Sequence, residues 1–104
     1  MLLHTVLFWL KPGLSPAEIA EFETGLHGLL AIRSVRFGFI GTPAATRRPV
    51  IDHTYSHKLV VGFDDLAGHD HYQEVDVHQR FIAACGAYWT RVQIYDAEGA
   101  APTR

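Results

Sequence analysis

The chain has 104 residues, of which 48% are hydrophobic and 19% charged, and its formal net charge is -2. This length predicts one domain over residues 1–104, and the charge provides no basic footprint for a nucleic-acid partner. No apolar run approaches the roughly 20 residues that span a bilayer, and the single cysteine, Cys85, cannot form an internal disulfide. We therefore expect no membrane partner and a reducing, cytoplasmic location.

The first half of the chain predicts a strand, a helix and a second strand. Leu2–Leu10 alternates as a strand with two apolar faces, so both faces should be covered. Residues 15–18 form a capping box with proline at the first helical position, which begins a helix over 16–31. Residues 35–40 alternate as the second strand, and the segment 41–53 is predicted as a loop.

The second half predicts a strand, two helical segments and a last strand. Residues 55–63 alternate as the third strand. Helices are predicted over 65–74 and 76–86 with a break near Asp76 between them. Residues 88–96 form the fourth strand. The remaining residues, 97–104, are predicted as a frayed tail.

The order of elements, β-α-β-β-α-β, predicts an α+β fold of the ferredoxin-like kind. Its antiparallel sheet has the order 4-1-3-2, with both helical segments on one face. The first strand is central, so its second apolar face needs a cover, and a second copy of the sheet is the simplest one. We therefore predict a homodimer through the outward sheet face, formed by Leu3, Thr5, Leu7, Trp9, Lys58 and Val60.

Several polar residues are predicted on the helix side of the sheet. Tyr72 and His78 lie six residues apart in the helical region, and strand parity assigns His4, His57 and Asp96 to the same layer. Because the first and third strands are antiparallel, the two strand histidines should lie roughly 15–20 Å apart. That separation argues against a shared metal, whose bonds are about 2 Å, so no metal site is predicted.

The chain resembles the stress-responsive A/B barrel domain family of the dimeric α+β barrel superfamily. The resemblance extends to Asp96 and rests on residues 4–8, 35–38, 55–57, Phe63, Tyr72, 78–81 and Asp96. Members often have a His-Pro pair where this chain has Val75-Asp76. Some members are similar to plant polyketide cyclases, which close a linear polyketide by aldol chemistry with a tyrosine and a histidine and without metal. Tyr72 and His78 match those positions.

The resemblance implies a cyclase or isomerase that needs no cofactor. His78 would act as general base and Tyr72 would donate a hydrogen bond to the developing oxyanion. Asp96 would orient an imidazole, either His78 or His4. A noncatalytic stress-response or ligand-binding dimer remains open as an alternative, and a cofactor-free monooxygenase is a weaker one.

The apolar rows beside these polar groups predict a pocket for a small hydrophobic ligand. Trp89 departs from the parity of the fourth strand, so it either closes one end of the cavity or joins Trp9 on the outward face. The run His69-Asp70-His71 is predicted as a solvated helix end, because residues two apart on a helix do not converge. The predicted lining is His4, Val6, Phe8, Phe22, Leu26, His57, Leu59, Phe81, Trp89 and Ile94.

Overall fold

The computed structural model describes residues 1–103 and contains four strands and three α-helices. The elements are β1 (Leu2–Leu10), α1 (Pro16–Leu29), β2 (Phe37–Gly41), β3 (His57–Phe63), α2 (Leu66–Glu74), α3 (Asp76–Cys85) and β4 (Trp89–Glu98), with a 3-10 turn, Gly86–Tyr88, before β4. The predicted α+β, ferredoxin-like arrangement is confirmed, with the second helical region divided into α2 and α3.

The four strands form one antiparallel sheet in the order β2-β3-β1-β4, which confirms the predicted order 4-1-3-2. The central position of β1 explains its apolar character on both faces. The register places His4 opposite Val61 on one side and opposite Asp96 on the other. Phe8 lies opposite His57, so the two strand histidines lie toward opposite ends of the sheet, as predicted.

Several strand boundaries differ from the predicted ones, and β3 begins at His57 rather than at residue 55. β2 begins at Phe37 because Val35 donates its backbone N–H to the carbonyl of Ile32 and closes a turn. The prediction of a frayed tail over residues 97–104 is wrong for its first two residues, which belong to β4. β4 continues to Glu98, and Gly99 exchanges two backbone hydrogen bonds with Met1. Pairing with the first residues of β1 therefore keeps the end of β4 in the sheet.

The hydrophobic core lies between the sheet and the helices. Alternate residues of β1, from Leu2 to Phe8, are buried on the helix side, and Phe22 and Leu26 of α1 are fully buried against them. The start of α1 is well defined, because the Ser15 hydroxyl accepts the Glu18 amide and the Glu18 carboxylate accepts the Ser15 amide.

The opposite sheet face carries exposed aromatic side chains. Phe39 is 59% exposed and Tyr95 is 62% exposed. Trp9 is held on this face by a hydrogen bond from its indole nitrogen to Thr54 and by the Arg91 guanidinium, 4.2 Å from the ring centroid. None of the helices within residues 1–103 is long and apolar enough to cross a bilayer.

Candidate active site

Tyr72 and His78 meet because the helix breaks between them. Six residues along an unbroken helix would place the two side chains roughly 120° apart around its axis. Instead Val75 is extended, with φ -70° and ψ 153°, and it is both the C-cap of α2 and the N-cap of α3. The rings consequently pack edge to face with centroids 4.9 Å apart. This confirms the predicted break near Asp76.

Asp96 holds His4. The two residues are opposite each other in the β1–β4 ladder, and the Asp96 carboxylate lies 2.6 Å from Nδ1 of His4. A hydrogen bond donated by Nδ1–H leaves Nε2 as the unprotonated nitrogen of a neutral His4. Asp96 was predicted to orient the imidazole of either His78 or His4, and it contacts that of His4. Within residues 1–103, no hydrogen bond or ion pair joins Asp96 to His78.

His69 is a site residue that the sequence pattern missed. Its ring centroid lies 5.0 Å from that of His4, and its Nε2 lies 3.7 Å from Oδ2 of Asp96. Its side chain is 16% exposed, so the predicted solvated helix end is corrected at this residue. The sequence could have indicated this position, because His69 lies three residues before Tyr72 and residues three apart share one face of a helix.

A cavity of about 160 Å³ lies between the sheet and α2–α3. The predicted site residues that line this cavity are His4, Val6, Phe8, Leu59, Tyr72, His78, Phe81, Trp89 and Ile94. Four lining residues were not predicted: Leu29, Gln73, Ile82 and Val92. Val92 and Ile94 are 40% and 45% exposed, so the cavity opens along β4. An apolar cavity of roughly 150 Å³ accepts a molecule of the size of benzene, so a single-ring group fits here.

Three predicted lining residues lie outside the cavity. Phe22 and Leu26 are completely buried in the core, and neither contributes to the cavity wall. His57 is also buried, with its Nε2 2.7 Å from the Glu23 carboxylate and its ring against Phe22. It is therefore a core histidine paired at the far end of the sheet, because α1 covers that end.

Trp89 lines the cavity, and an irregularity in the β1–β4 register explains why its side chain departs from the alternation of β4. Trp89 pairs with Leu10 whereas Arg91 pairs with Trp9, so a β-bulge leaves Thr90 as the extra residue. The bulge turns the Trp89 ring to the helix side. There the Trp89 ring packs against the Phe8 ring, with centroids 5.1 Å apart, rather than beside Trp9 on the outward face.

The site keeps a protonated phenol beside neutral imidazoles. Burial raises the pKa of Tyr72 far above its ordinary value, so this hydroxyl is a hydrogen-bond donor at neutral pH. Burial lowers the pKa of His78, and the nearby His4 and His69 lower it further. Burial also lowers the pKa of His4, outweighing the opposing effect of Asp96. One group is thus suited to donate a proton in a hydrogen bond and another to accept a proton.

Fold and site together define a small α+β domain with an apolar cavity in which a tyrosine and a histidine meet. The chain belongs to the family described as Stress responsive A/B Barrel Domain, whose profile matches residues 2–98. This confirms the resemblance inferred from the sequence. No curated protein sequence gives a significant match to the chain.

Solved structures share the fold across nearly the whole chain. An Arabidopsis thaliana protein superposes with a TM-score of 0.81 at 19% identity, covering 100% of both chains. A Dabb family protein with a ferredoxin-like fold from Mesorhizobium loti gives 0.77 at 24% identity, covering 96% and 97%. The hydroxynitrile lyase of Passiflora edulis gives 0.76 at 17% identity, covering 97% and 96%. The TM-scores show that these proteins share the fold of this chain.

Proposed function

We propose that this protein is a metal-independent enzyme that performs acid–base chemistry on a small carbonyl compound, as a cyclase or isomerase. One observation carries the proposal: the rings of Tyr72 and His78 pack with their centroids 4.9 Å apart in the wall of a cavity large enough for a single-ring molecule. Their pKa values are displaced in the directions that acid–base catalysis requires, with the phenol kept protonated and the imidazole kept neutral.

The reaction begins with the neutral imidazole of His78. It removes a proton from the carbon next to a carbonyl group, the C–H electron pair forms a carbon–carbon double bond, and the carbonyl π pair moves onto the oxygen to give an enolate. The Tyr72 hydroxyl donates a hydrogen bond to that oxygen. The enolate carbon then bonds to a second carbonyl carbon of the same molecule, and the His78 imidazolium returns its proton to the new alkoxide. An isomerisation instead returns the proton to a different atom of the enolate.

His4 and Asp96 are positioning residues in this proposal. Asp96 bonds to Nδ1 of His4, and the His4 ring packs edge to face against Tyr72 with centroids 5.7 Å apart. Phe63 contacts the Tyr72 ring at 5.1 Å. These contacts restrict the phenol ring, so its hydroxyl is presented in one orientation before substrate binds.

A substrate panel with Tyr72→Phe tests the proposal. The panel contains β-keto thioesters, small diketones, aromatic acids and, because of the name of the Passiflora neighbour, a cyanohydrin. The wild type should turn over at least one member, and Tyr72→Phe should lower kcat for it by about 10²–10³-fold, the loss typical of one oxyanion donor. Circular dichroism checks that the variant is folded.

Tyr55→Phe is the matched control, because it deletes a phenol oxygen outside the cavity, on a ring that packs against Trp9. It should leave kcat unchanged. Binding of a panel member without turnover by the wild type would contradict the enzyme proposal and favour the noncatalytic ligand-binding alternative. Full activity of Tyr72→Phe would contradict the assigned role of Tyr72.

We also propose that two copies of the chain associate through the outward sheet face. Exposed Phe39 and Tyr95 support this face as the contact surface, and the Thermobifida fusca neighbour with this fold is described as dimeric. The predicted contact residues are Leu3, Thr5, Leu7, Trp9, Lys58 and Val60. Light scattering should give twice the chain mass at micromolar concentration.

Leu7→Glu should convert this dimer to a monomer, because it would bury an additional charge in the contact surface. Leu66→Glu is the control, since Leu66 is 52% exposed at the start of α2. A monomeric wild type, or a dimer that survives Leu7→Glu, would contradict the proposal.

A further inference from the structure

We propose that His4, His69 and Asp96 form a binding site for one divalent first-row transition-metal ion, with Zn²⁺ as the ion for testing. Each residue offers one ligand atom, and these atoms lie within 4.8 Å of one another. Nδ1 of His4 lies 2.6 Å from Oδ1 of Asp96, and Nε2 of His69 lies 3.7 Å from Oδ2.

These separations are close to what zinc requires. Bonds from zinc to histidine nitrogen and carboxylate oxygen are about 2.0–2.2 Å, so ligands in a tetrahedral site lie about 3.3 Å apart. The His4–Asp96 distance of 2.6 Å lies below that value, and the His69–Asp96 distance of 3.7 Å, measured to the other carboxylate oxygen, lies above it. The ion would take the place of the proton that His4 and Asp96 share.

The site is assembled from three elements. His4 and Asp96 are opposite each other in the β1–β4 ladder, so backbone hydrogen bonding holds two of the ligands in place. α2 supplies His69 from above the sheet. The His69 ring packs against the Phe63 ring, with centroids 5.8 Å apart, and against the His4 ring. These two contacts restrict the direction of the His69 ring. Such restriction lowers the entropy cost of binding an ion.

The kind of ion follows from the donor atoms. Two imidazoles and one carboxylate suit zinc and its first-row neighbours, whereas Mg²⁺ and Ca²⁺ prefer a shell of oxygens. Three protein ligands also leave at least one coordination position open. The Asp96 side chain is 40% exposed, so solvent and ions reach the cluster, and His4 connects the cluster to the cavity wall.

Neither Tyr72 nor His78 is a ligand of the proposed ion, whereas His4 and Asp96, which position Tyr72 in the proposed function, would bind the ion in place of the proton that they share. His57 at the other end of the sheet has a single acidic partner, Glu23, and provides no comparable set. Within residues 1–103, the trio His4, His69 and Asp96 is the group of three whose ligand atoms converge.

Metal titration tests the site directly. The full chain is stripped with a chelator and titrated with ZnCl₂ by calorimetry, and with Co²⁺ by visible absorption. The wild type should bind one equivalent per chain, and His69→Asn and Asp96→Asn should each weaken Zn²⁺ binding by at least about tenfold. Added Zn²⁺ should raise the Tm of the wild type but not of His69→Asn.

His71→Asn is the matched control, because it removes an imidazole two residues away on the same helix and should retain full Zn²⁺ affinity. Each variant is first checked for folding in the absence of metal. No binding by the wild type, or equal losses in His69→Asn and His71→Asn, would overturn the proposal and leave the trio as a hydrogen-bonded cluster. Because metal stoichiometry is measured without substrate, this outcome is independent of whether the protein has turnover.

Discussion

His78→Asn is expected to lower kcat/KM by about 10²–10⁴-fold on any panel substrate that the wild type turns over, the range typical for loss of a general base. Asparagine is smaller than histidine but retains hydrogen-bonding groups, and it cannot accept the substrate proton. Because the interaction is made in the transition state, the loss should appear in kcat more than in KM.

The pH dependence of the wild type provides a second readout. His78 acts as a base only when neutral, and burial together with His4 and His69 lowers its pKa below the ordinary value of 6.5. The Tyr72 ring that faces it stays uncharged throughout this range, because its pKa is raised. The value of kcat/KM should therefore be constant near neutral pH and fall on acidification, with a midpoint below 6.5.

The control for His78 is His53→Asn, which removes an exposed loop imidazole outside the cavity. It should leave both kcat/KM and its pH profile unchanged. Retention of wild-type kcat/KM by His78→Asn would exclude His78 as the base and direct attention to Nε2 of His4. An acid limb with a midpoint above 6.5 would conflict with the lowered pKa of His78.

Phe22→Ala should reduce the free energy of unfolding by about 3–5 kcal/mol, as expected for a large buried side chain truncated in a packed core. Phe22 is completely buried and makes aromatic contacts with Phe8, His57, Phe81 and Trp89 at centroid distances between 5.1 and 6.1 Å. Three of these partners form the cavity wall, so Phe22 supports the cavity from behind. Urea unfolding at fixed protein concentration measures the change.

Phe22→Leu should cost less than Phe22→Ala, because it refills part of the space. Val50→Ala serves as the surface control, since Val50 is 81% exposed, and should change the free energy of unfolding by less than about 0.5 kcal/mol. A loss below 1 kcal/mol for Phe22→Ala, against the roughly 3–5 kcal/mol expected, would mean that the neighbouring rings collapse into the vacated space.

The fold was accessible from the sequence because its signals are local. The period-two rows of β1 and β3 identify the buried sides of both strands, including His4 and His57, and the capping box at Ser15 marks the start of α1. These patterns reflect the geometry of single elements, in which the direction of a side chain depends on parity alone. The sheet order followed from the sequence of elements.

The composition of the site was only partly accessible, because it depends on how elements dock. Helical spacing placed Phe22 and Leu26 on the buried side of α1, yet both are completely buried in the core and the cavity lies between the sheet and α2–α3. Leu29 of α1 and Ile82 of α3 line the cavity although neither was predicted to do so. Helical spacing specifies a face of a helix but not the part of the sheet which that face covers.

The sequence by itself determined the β-α-β-β-α-β order, the buried face of each inner strand and the presence of Tyr72 and His78 at a helical break. Only the tertiary structure decided that Val75 brings those two rings together, that Asp96 binds His4, and that His69 joins them. The reason is physical: side-chain direction repeats with local backbone geometry, whereas contacts between elements depend on strand register and helix docking, which the whole core decides.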